Sequence, residues 1–209
     1  MHYFSAEPTV ASAEHLIHFT VGGRDFNLWS DRGVFSKNAL DIGTEVLLNT
    51  LLTGWATGAS GLAGPPEPAA ELLDLGCGNG TIGVVLASFF PSLRLSLLDV
   101  NRRALGLATK NLGLYSLEGA TVAESDGLAA AGHKHFDYIV SNPPIRTGKE
   151  TVYRLYREAC DHLKPGGKFY LVVGKKQGAE STRRYLTDLF GNCDRLARDR
   201  GFWVLQCSK

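Results

Sequence analysis

Short apolar runs alternate with amphipathic segments between residues 71 and 173. The apolar runs predicted to form strands are 71–75, 93–98, 120–123, 136–140 and 168–173. Helical periodicity falls between them, at 81–90, 101–112 and 152–163. This rhythm predicts a mostly parallel α/β sheet with helices on both faces.

The N-terminal third has a different pattern. Two alternating runs, 16–21 and 24–29, flank Gly22-Gly23 and predict a β-hairpin. A helical pattern covers 42–52. The stretch 54–70 is mostly Gly, Ala, Pro, Ser and Thr and is interpreted as a flexible connection before the core.

The last 36 residues change pattern again. A helix is predicted from about Ala179 to Phe190. Two strand-like runs follow, near 193–198 and 202–207, and only Asp199-Arg200-Gly201 separates them. Such a short connection predicts a C-terminal antiparallel hairpin. With 209 residues in all, we expect a single domain: an N-terminal hairpin and helix (1–53), the connection (54–70) and a core (71–209).

Composition narrows the class of protein. Hydrophobic residues make up 44% of the chain, which argues against disorder. No apolar run approaches membrane-spanning length, and the first residues lack the pattern of a signal peptide, so no membrane association is expected. The four cysteines form no CxxC pair, which argues against a metal site or disulfide framework and favours the reducing cytoplasm.

A glycine-rich loop connects the first predicted core strand to the following helix. Gly76, Gly78 and Gly80 permit a tight turn and close approach of a ligand to the backbone. Asp74 precedes the loop, and Asp99 ends the next strand. A carboxylate at that position can accept hydrogen bonds from both hydroxyls of a ribose.

A dinucleotide site is the first alternative for this loop. The third glycine comes one position earlier than in the dinucleotide fingerprint, and Thr81 occupies the fingerprint position. Asp74 would repel a pyrophosphate and suits a ligand with a positively charged amino group. A third acid, Asp126, follows the third core strand and is interpreted either as a ligand contact or as a turn residue.

Asn142-Pro143-Pro144 follows the fourth core strand. Consecutive prolines restrict the backbone and hold the preceding residue extended. The Asn142 side-chain carbonyl and a proline carbonyl can then accept hydrogen bonds from a planar amine and direct its lone pair toward a methyl donor. A simple loop break is the alternative reading of this turn.

Taken together, these motifs resemble the methyltransferase small-domain family, in particular single-domain relatives of the ribosomal RNA small-subunit guanine-N2 methyltransferases. The resemblance also rests on Gly33-Val34-Phe35-Ser36-Lys37, Leu40-Asp41-Ile42-Gly43-Thr44 and Lys164-Pro165-Gly166-Gly167. It implies a Rossmann-like class I methyltransferase fold with seven strands, and S-adenosylmethionine as the cofactor. The cofactor contacts it implies are Asp74, Gly76, Gly78, Asn79, Gly80, Asp99, Val100, Asn101, Ser125, Asp126, Asn142, Phe35, Ser36 and Lys37.

The same resemblance implies a catalytic Asn142-Pro143-Pro144 turn and guanine N2 of ribosomal RNA as the target. Family members usually carry an aromatic residue at the position of Ile145. Either the base is held elsewhere, with Phe35 and Trp55 as candidate rings, or an aliphatic contact replaces the stacking. The longer members also have an amino-terminal domain that assists substrate binding.

Charge is unevenly distributed. Residues 145–185 contain ten Lys and Arg and four Asp and Glu, directly after the Asn-Pro-Pro turn. These cations either lie on solvated helix faces or contact RNA phosphates. The residues we predict to bind substrate are Ile145, Arg146, Lys149, Lys175 and Lys176.

Three other functions remain open on the sequence alone. The enzyme could methylate adenine N6 or a protein glutamine amide, since both present a planar NH₂ group. It could be a nicotinamide-dependent oxidoreductase, which Thr81 and the Asn-Pro-Pro turn disfavour. It could also bind the cofactor without catalysis.

Overall fold

The computed structural model describes residues 10–34, 38–58, 62 and 64–209. Its strands are β1 (His15–Val21), β2 (Arg24–Ser30), β3 (Glu71–Leu75), β4 (Arg94–Asp99), β5 (Thr121–Glu124), β6 (Phe136–Ser141), β7 (Leu163–Gly174), β8 (Asp194–Asp199) and β9 (Phe202–Ser208). Its α-helices are α1 (Ile42–Thr57), α2 (Thr81–Phe89), α3 (Arg102–Leu114), α4 (Lys149–Asp161) and α5 (Ala179–Phe190).

Seven strands form one sheet in the order β5-β4-β3-β6-β7-β9-β8. The pairs among β5, β4, β3, β6 and β7 are parallel, whereas β9 runs antiparallel to both β7 and β8. The strands β1 and β2 form a separate hairpin in which Val21 pairs with Arg24. The predicted α/β class, mostly parallel sheet and two hairpins are therefore confirmed.

The alternation of side chains along the central strands divides the core into two layers. Leu72 and Tyr170 belong to the cluster under α1, α2 and the N-terminal hairpin. Their neighbours Leu73 and Phe169 point to the other face, under α4 and α5. Both faces of the sheet are thus covered, as the continuous apolar runs predicted.

The N-terminal hairpin is bonded to the core beside the glycine-rich loop. The Trp29 backbone N–H donates to Asn111 Oδ1 (2.7 Å), and the Trp29 carbonyl accepts from Asn111 Nδ2 (3.0 Å). The same carbonyl accepts from Asn79 Nδ2 (3.0 Å). The last residues of β2 are therefore part of the support of the loop.

The flexible connection predicted from residue 54 includes residues that the structure places in a helix. Helix α1 continues to Thr57 and ends at Gly58, which has φ 69°. The reason is Trp55, which is only 1% exposed and lies against Phe90, Tyr138 and Tyr170. Burial of this indole extends the helix into a segment whose composition alone suggests a linker.

Replacing the indole tests whether Trp55 anchors α1. We expect Trp55→Ala to lower the free energy of unfolding by about 3–5 kcal/mol, because a large buried side chain is lost and a cavity remains. The measurement is urea unfolding followed by circular dichroism. Leu114→Ala, at a side chain 53% exposed, is the matched control. Equal losses in the two variants would contradict the anchoring role.

Candidate active site

A cavity of about 700 Å³ opens at the carboxyl ends of the central parallel strands. This volume lies within the range of small-molecule sites. The predicted site residues that line it are Gly76, Gly78, Asn79, Asp99, Val100, Asn101, Ser125, Asp126, Asn142, Pro143, Pro144, Ile145 and Arg146. The two motifs found separately in the sequence therefore share one cavity.

Other predicted residues lie elsewhere. Asp74 and Gly80 are buried and do not line the cavity. Lys149, Lys175 and Lys176 are exposed and do not line it either. The predicted contacts Phe35, Ser36 and Lys37 lie outside the described residues, although Val34 and Leu40 on either side of them line the cavity.

The glycine-rich loop has the backbone that its sequence predicts. Gly76, Gly78 and Gly80 have φ of 71°, 56° and 82°, a region that side chains disfavour. Gly80 also packs closely, because a Cβ atom there would lie 3.1 Å from Leu97 and 3.2 Å from Ala108. The loop bends sharply and then runs directly into α2.

Asp99 fixes this loop from the end of β4. Its Oδ2 accepts from the Gly78 N–H and its Oδ1 from the Asn101 N–H, both at 2.8 Å. Burial raises the pKa of Asp99, while these backbone hydrogen bonds oppose the rise. A carboxylate offers about four acceptor positions, so the side chain can still accept from ribose hydroxyls in the cavity.

Asp74 is buried beneath the loop, outside the lining of the cavity. Its Oδ2 accepts from the Gly83 N–H in the first turn of α2 (2.9 Å), and its Oδ1 has no hydrogen-bond partner among the residues that the structure describes. Burial is the main cause that raises the pKa of Asp74 to about 7. In this geometry the carboxyl stabilises the helix start, whereas the sequence predicted a direct cofactor contact.

Asn79 and Asn101 also use their side chains within the protein. Asn79 donates to Trp29 and accepts from the Thr81 hydroxyl (2.7 Å). Asn101 caps α3 and donates from Nδ2 to the Gly33 carbonyl (3.2 Å). Both asparagines line the cavity while holding the N-terminal segment against it.

Asp126 lies at the cavity rim with an exposed side chain. Its Oδ1 forms an ion pair with Arg154 (2.5 Å), and Arg154 also bonds Glu158 (2.7 Å). The hydrogen bond to Asp126 is the main cause that raises the pKa of Arg154. The Ser125 hydroxyl donates to the Gly127 carbonyl (2.8 Å), which fixes the turn that carries Asp126.

The Asn142-Pro143-Pro144 turn follows β6. Asn142 Nδ2 donates to Asp41 Oδ2 and to Thr44 Oγ1, each at 3.0 Å. The Pro143 carbonyl accepts from the Ile145 N–H (2.8 Å) and keeps a second acceptor position. Neither Asp41 nor Thr44 has a predicted role in the sequence analysis. The sequence feature that points to Asp41 is the helix-capping pattern before α1.

Trp55 and Phe35 are the two rings that could replace an aromatic residue at position 145. Trp55 is enclosed in the core and cannot reach the cavity. Phe35 lies outside the described residues. Among the residues that the structure describes, the aromatic ring lining the cavity is that of Phe202, at the start of β9. Ile145 is half-buried and packs against the core cluster under α4 and α5.

No group of three or more His, Cys, Asp or Glu side chains that could hold a metal ion occurs in the described ranges. No helix in that part of the chain is both long and apolar enough to cross a membrane.

The titration of Asp74 can be tested through stability. Because its pKa is raised above that of the unfolded chain, the folded state binds the proton more tightly, and its stability falls as pH rises from 4 through 7. Asp74→Asn cannot titrate. Between pH 4 and pH 8.5, we therefore expect the free energy of unfolding of the wild type to fall by up to about 4 kcal/mol relative to that of this variant.

Urea unfolding at pH 4, 5.5, 7 and 8.5 measures this difference, with Glu118→Gln as a control at an exposed carboxylate. The control should follow the wild type at each pH. Parallel curves for wild type and Asp74→Asn would show that Asp74 is ionised in the same range in the folded and unfolded states.

Comparison with known proteins identifies the family and the fold of the chain. Residues 25–206 match the family model of the methyltransferase small domain. The protein YbxB of Bacillus subtilis is 32% identical over 209 residues, covering 100% of this chain and 98% of YbxB. The ribosomal RNA small subunit methyltransferase C of Vibrio cholerae is 32% identical over 194 residues, covering 90% of this chain and 51% of that enzyme.

Among solved structures, the chain resembles the 16S rRNA N2 G1207 methyltransferase of T. thermophilus in complex with AdoMet and guanosine. The TM-score is 0.81 at 24% identity, with 97% of this chain and 52% of that chain covered. The similarity confirms the class I methyltransferase fold. The chain spans about half the length of both of these ribosomal RNA methyltransferases.

Proposed function

The chain belongs to the methyltransferase small-domain family, and on that premise we propose that it transfers a methyl group from S-adenosylmethionine to guanine N2 of ribosomal RNA. The observation that carries the proposal is the shared cavity. It brings the glycine-rich loop and Asp99 together with the Asn142-Pro143-Pro144 turn. One motif suits a nucleoside, and the other suits a planar amine.

The side chains around the cavity fit the cofactor. Asp99 accepts hydrogen bonds from the ribose hydroxyls, since it lines the cavity at the end of β4 and a carboxylate has acceptor positions beyond the two used by Gly78 and Asn101. Asp126 and the adjacent turn lie at the rim, where an acid can accept from the adenine amino group. When bound, the cofactor supplies an electrophilic methyl group on a sulfonium centre.

The chain's own contribution is to position the amine. Asn142 Oδ1 and the Pro143 carbonyl accept from the two N–H groups of the target. The nitrogen lone pair is then held perpendicular to the plane of these hydrogen bonds and toward the methyl group. In this transfer the bond from the nitrogen to the methyl carbon would form as the carbon–sulfur bond of the sulfonium breaks, and the cationic nitrogen would then lose its proton to solvent.

The substrate proposal rests on the relatives and on the distribution of cations. Both ribosomal RNA methyltransferases described above carry an additional half that this chain does not cover. Arg146 lines the cavity, and Lys175 and Lys176 follow β7 at the same edge of the sheet. We propose that these cations contact RNA phosphates beside the target base. The cytoplasmic location stays a prediction.

Cofactor binding is tested first, by calorimetric titration with S-adenosylmethionine and, in parallel, with NAD. We expect micromolar binding of S-adenosylmethionine, weakened at least about tenfold in Asp99→Ala because hydrogen bonds to a charged group are lost. Glu124→Ala, an exposed carboxylate beyond the cavity, should bind normally. Binding of NAD alone by folded protein would favour an oxidoreductase and contradict the proposal.

Methyl transfer is tested next, by incubating undermethylated ribosomal RNA, assembled subunits and ribosomal protein with labelled cofactor. Nucleoside digestion followed by mass spectrometry should find N2-methylguanosine. Label on adenine N6 or on a glutamine amide would retain the methyltransferase reaction and overturn the proposed target. Loss of labelling in Asn142→Ala at saturating S-adenosylmethionine would assign the transfer to this cavity.

The RNA contact predicts a specific salt dependence. Reversing Lys175 and Lys176 to Glu should weaken RNA binding and lower the slope of log K against log salt by about 1.4–1.8, since each lost phosphate contact removes roughly 0.7–0.9. The control reverses two exposed cations at the opposite edge of the sheet, Arg94 and Lys209. An unchanged slope in the Lys175 and Lys176 variant would remove these residues from the RNA site.

A further inference from the structure

Asn142 can act as an acceptor only if its amide has one orientation. The side chain carries a carbonyl and an NH₂ group at nearly equal positions, and a flip of about 180° exchanges them. A target amine in the cavity needs the carbonyl. With the amide flipped, an NH₂ group would face the substrate's own N–H groups and repel them.

Two acceptors at the start of α1 meet the NH₂ group of Asn142. Asp41 Oδ2 and Thr44 Oγ1 each lie 3.0 Å from Nδ2, so both of its hydrogens have a partner. A flip would place the Asn142 carbonyl oxygen against the Asp41 carboxylate, where two acceptors would repel each other. This leaves Oδ1 as the atom that faces the cavity.

The Asp41 carboxylate is itself held in place. Its Oδ2 accepts from the Thr44 N–H (3.0 Å) as the N-terminal cap of α1. A Cβ atom at Gly43 would lie 3.0 Å from Asp41 Oδ2 and 3.0 Å from the Phe202 ring, so a side chain there would press on the Asp41 carboxylate. One oxygen thus serves both the helix cap and the amide.

We propose that Asp41, assisted by Thr44, is a positioning residue that sets the Asn142 amide with its carbonyl toward the target nitrogen. The negative charge of Asp41 also polarises the amide, which makes Oδ1 a stronger acceptor as positive charge develops on that nitrogen. Asp41 acts through Asn142 and takes no proton in this role. The inference rests on the proposed methyl transfer for its kinetic consequence, but not for its geometry.

The variants separate the two tasks of Asp41. Asp41→Ser keeps a good helix-capping oxygen but is too short to reach Asn142. Asp41→Asn keeps a side-chain carbonyl at the position of Oδ2, and Thr44→Val removes the second acceptor at nearly constant volume. We expect kcat to fall roughly tenfold to a hundredfold in Asp41→Ser, with recovery to within about threefold of wild type in Asp41→Asn.

Asp41→Ser should still fold and should bind S-adenosylmethionine and RNA about as tightly as the wild type. The Kd for S-adenosylmethionine and the KM for RNA should stay within about twofold of wild type in Asp41→Ser, as expected when only an oriented acceptor is lost. The double variant Asp41→Ser, Thr44→Val should be slower than either single variant. A kcat equal to that of wild type in the double variant would overturn the proposal.

Nuclear magnetic resonance tests the geometry without catalysis. The Asn142 side-chain NH₂ signals, assigned by their absence in Asn142→Asp, should exchange slowly in wild type and Asp41→Asn and faster in Asp41→Ser. Unchanged exchange in Asp41→Ser would overturn the positioning role even if methyl transfer is established. Conversely, failure of S-adenosylmethionine to bind would defeat the proposed function and leave this readout intact.

Discussion

Parallel pairing around β3 is the constraint on which the site depends. Asp74 of β3 pairs with Leu97 of β4 on one side and with Val140 of β6 on the other. This register ends neighbouring strands at the same edge, so Asp99 and Asn142 project into one cavity although 43 positions separate them in the sequence. A shift of one residue would move every inward side chain to the opposite face of its strand.

The N-terminal third completes this edge. The end of β2 is bonded to Asn79 and Asn111, the Gly33 carbonyl accepts from Asn101, and Asp41 accepts from Asn142. These bonds connect three successive parts of the N-terminal segment to the loop, to α3 and to the Asn-Pro-Pro turn. The segment is therefore a wall of the cavity in addition to a cover for one face of the sheet.

Local signals account for what the sequence could predict. Alternation, capping residues and turn glycines lie close together in the chain, and from them the strands, helices, hairpins and both cavity motifs can be found. The burial of Trp55 could not be read from its Gly- and Ala-rich surroundings. The contact of Asp41 with Asn142 joins residues 101 positions apart, which a single sequence does not pair. The sequence predicts that Asp74 contacts the ligand, whereas the hydrogen bond of its carboxyl to the Gly83 N–H can be seen only in the fold.

Helix α1 runs from the core of the protein to the cavity. Trp55 fixes one end among the aromatic side chains of the core, and Asp41 at the other end holds the amide beside the cavity. At 1.5 Å per residue, these two points are about 21 Å apart along a single rigid rod. Because the helix buries side chains along its whole length, from Gly43 to Trp55, a change in its core packing would also displace Asp41. On the proposed function, core packing along α1 therefore also positions the residue that orients the methyl acceptor.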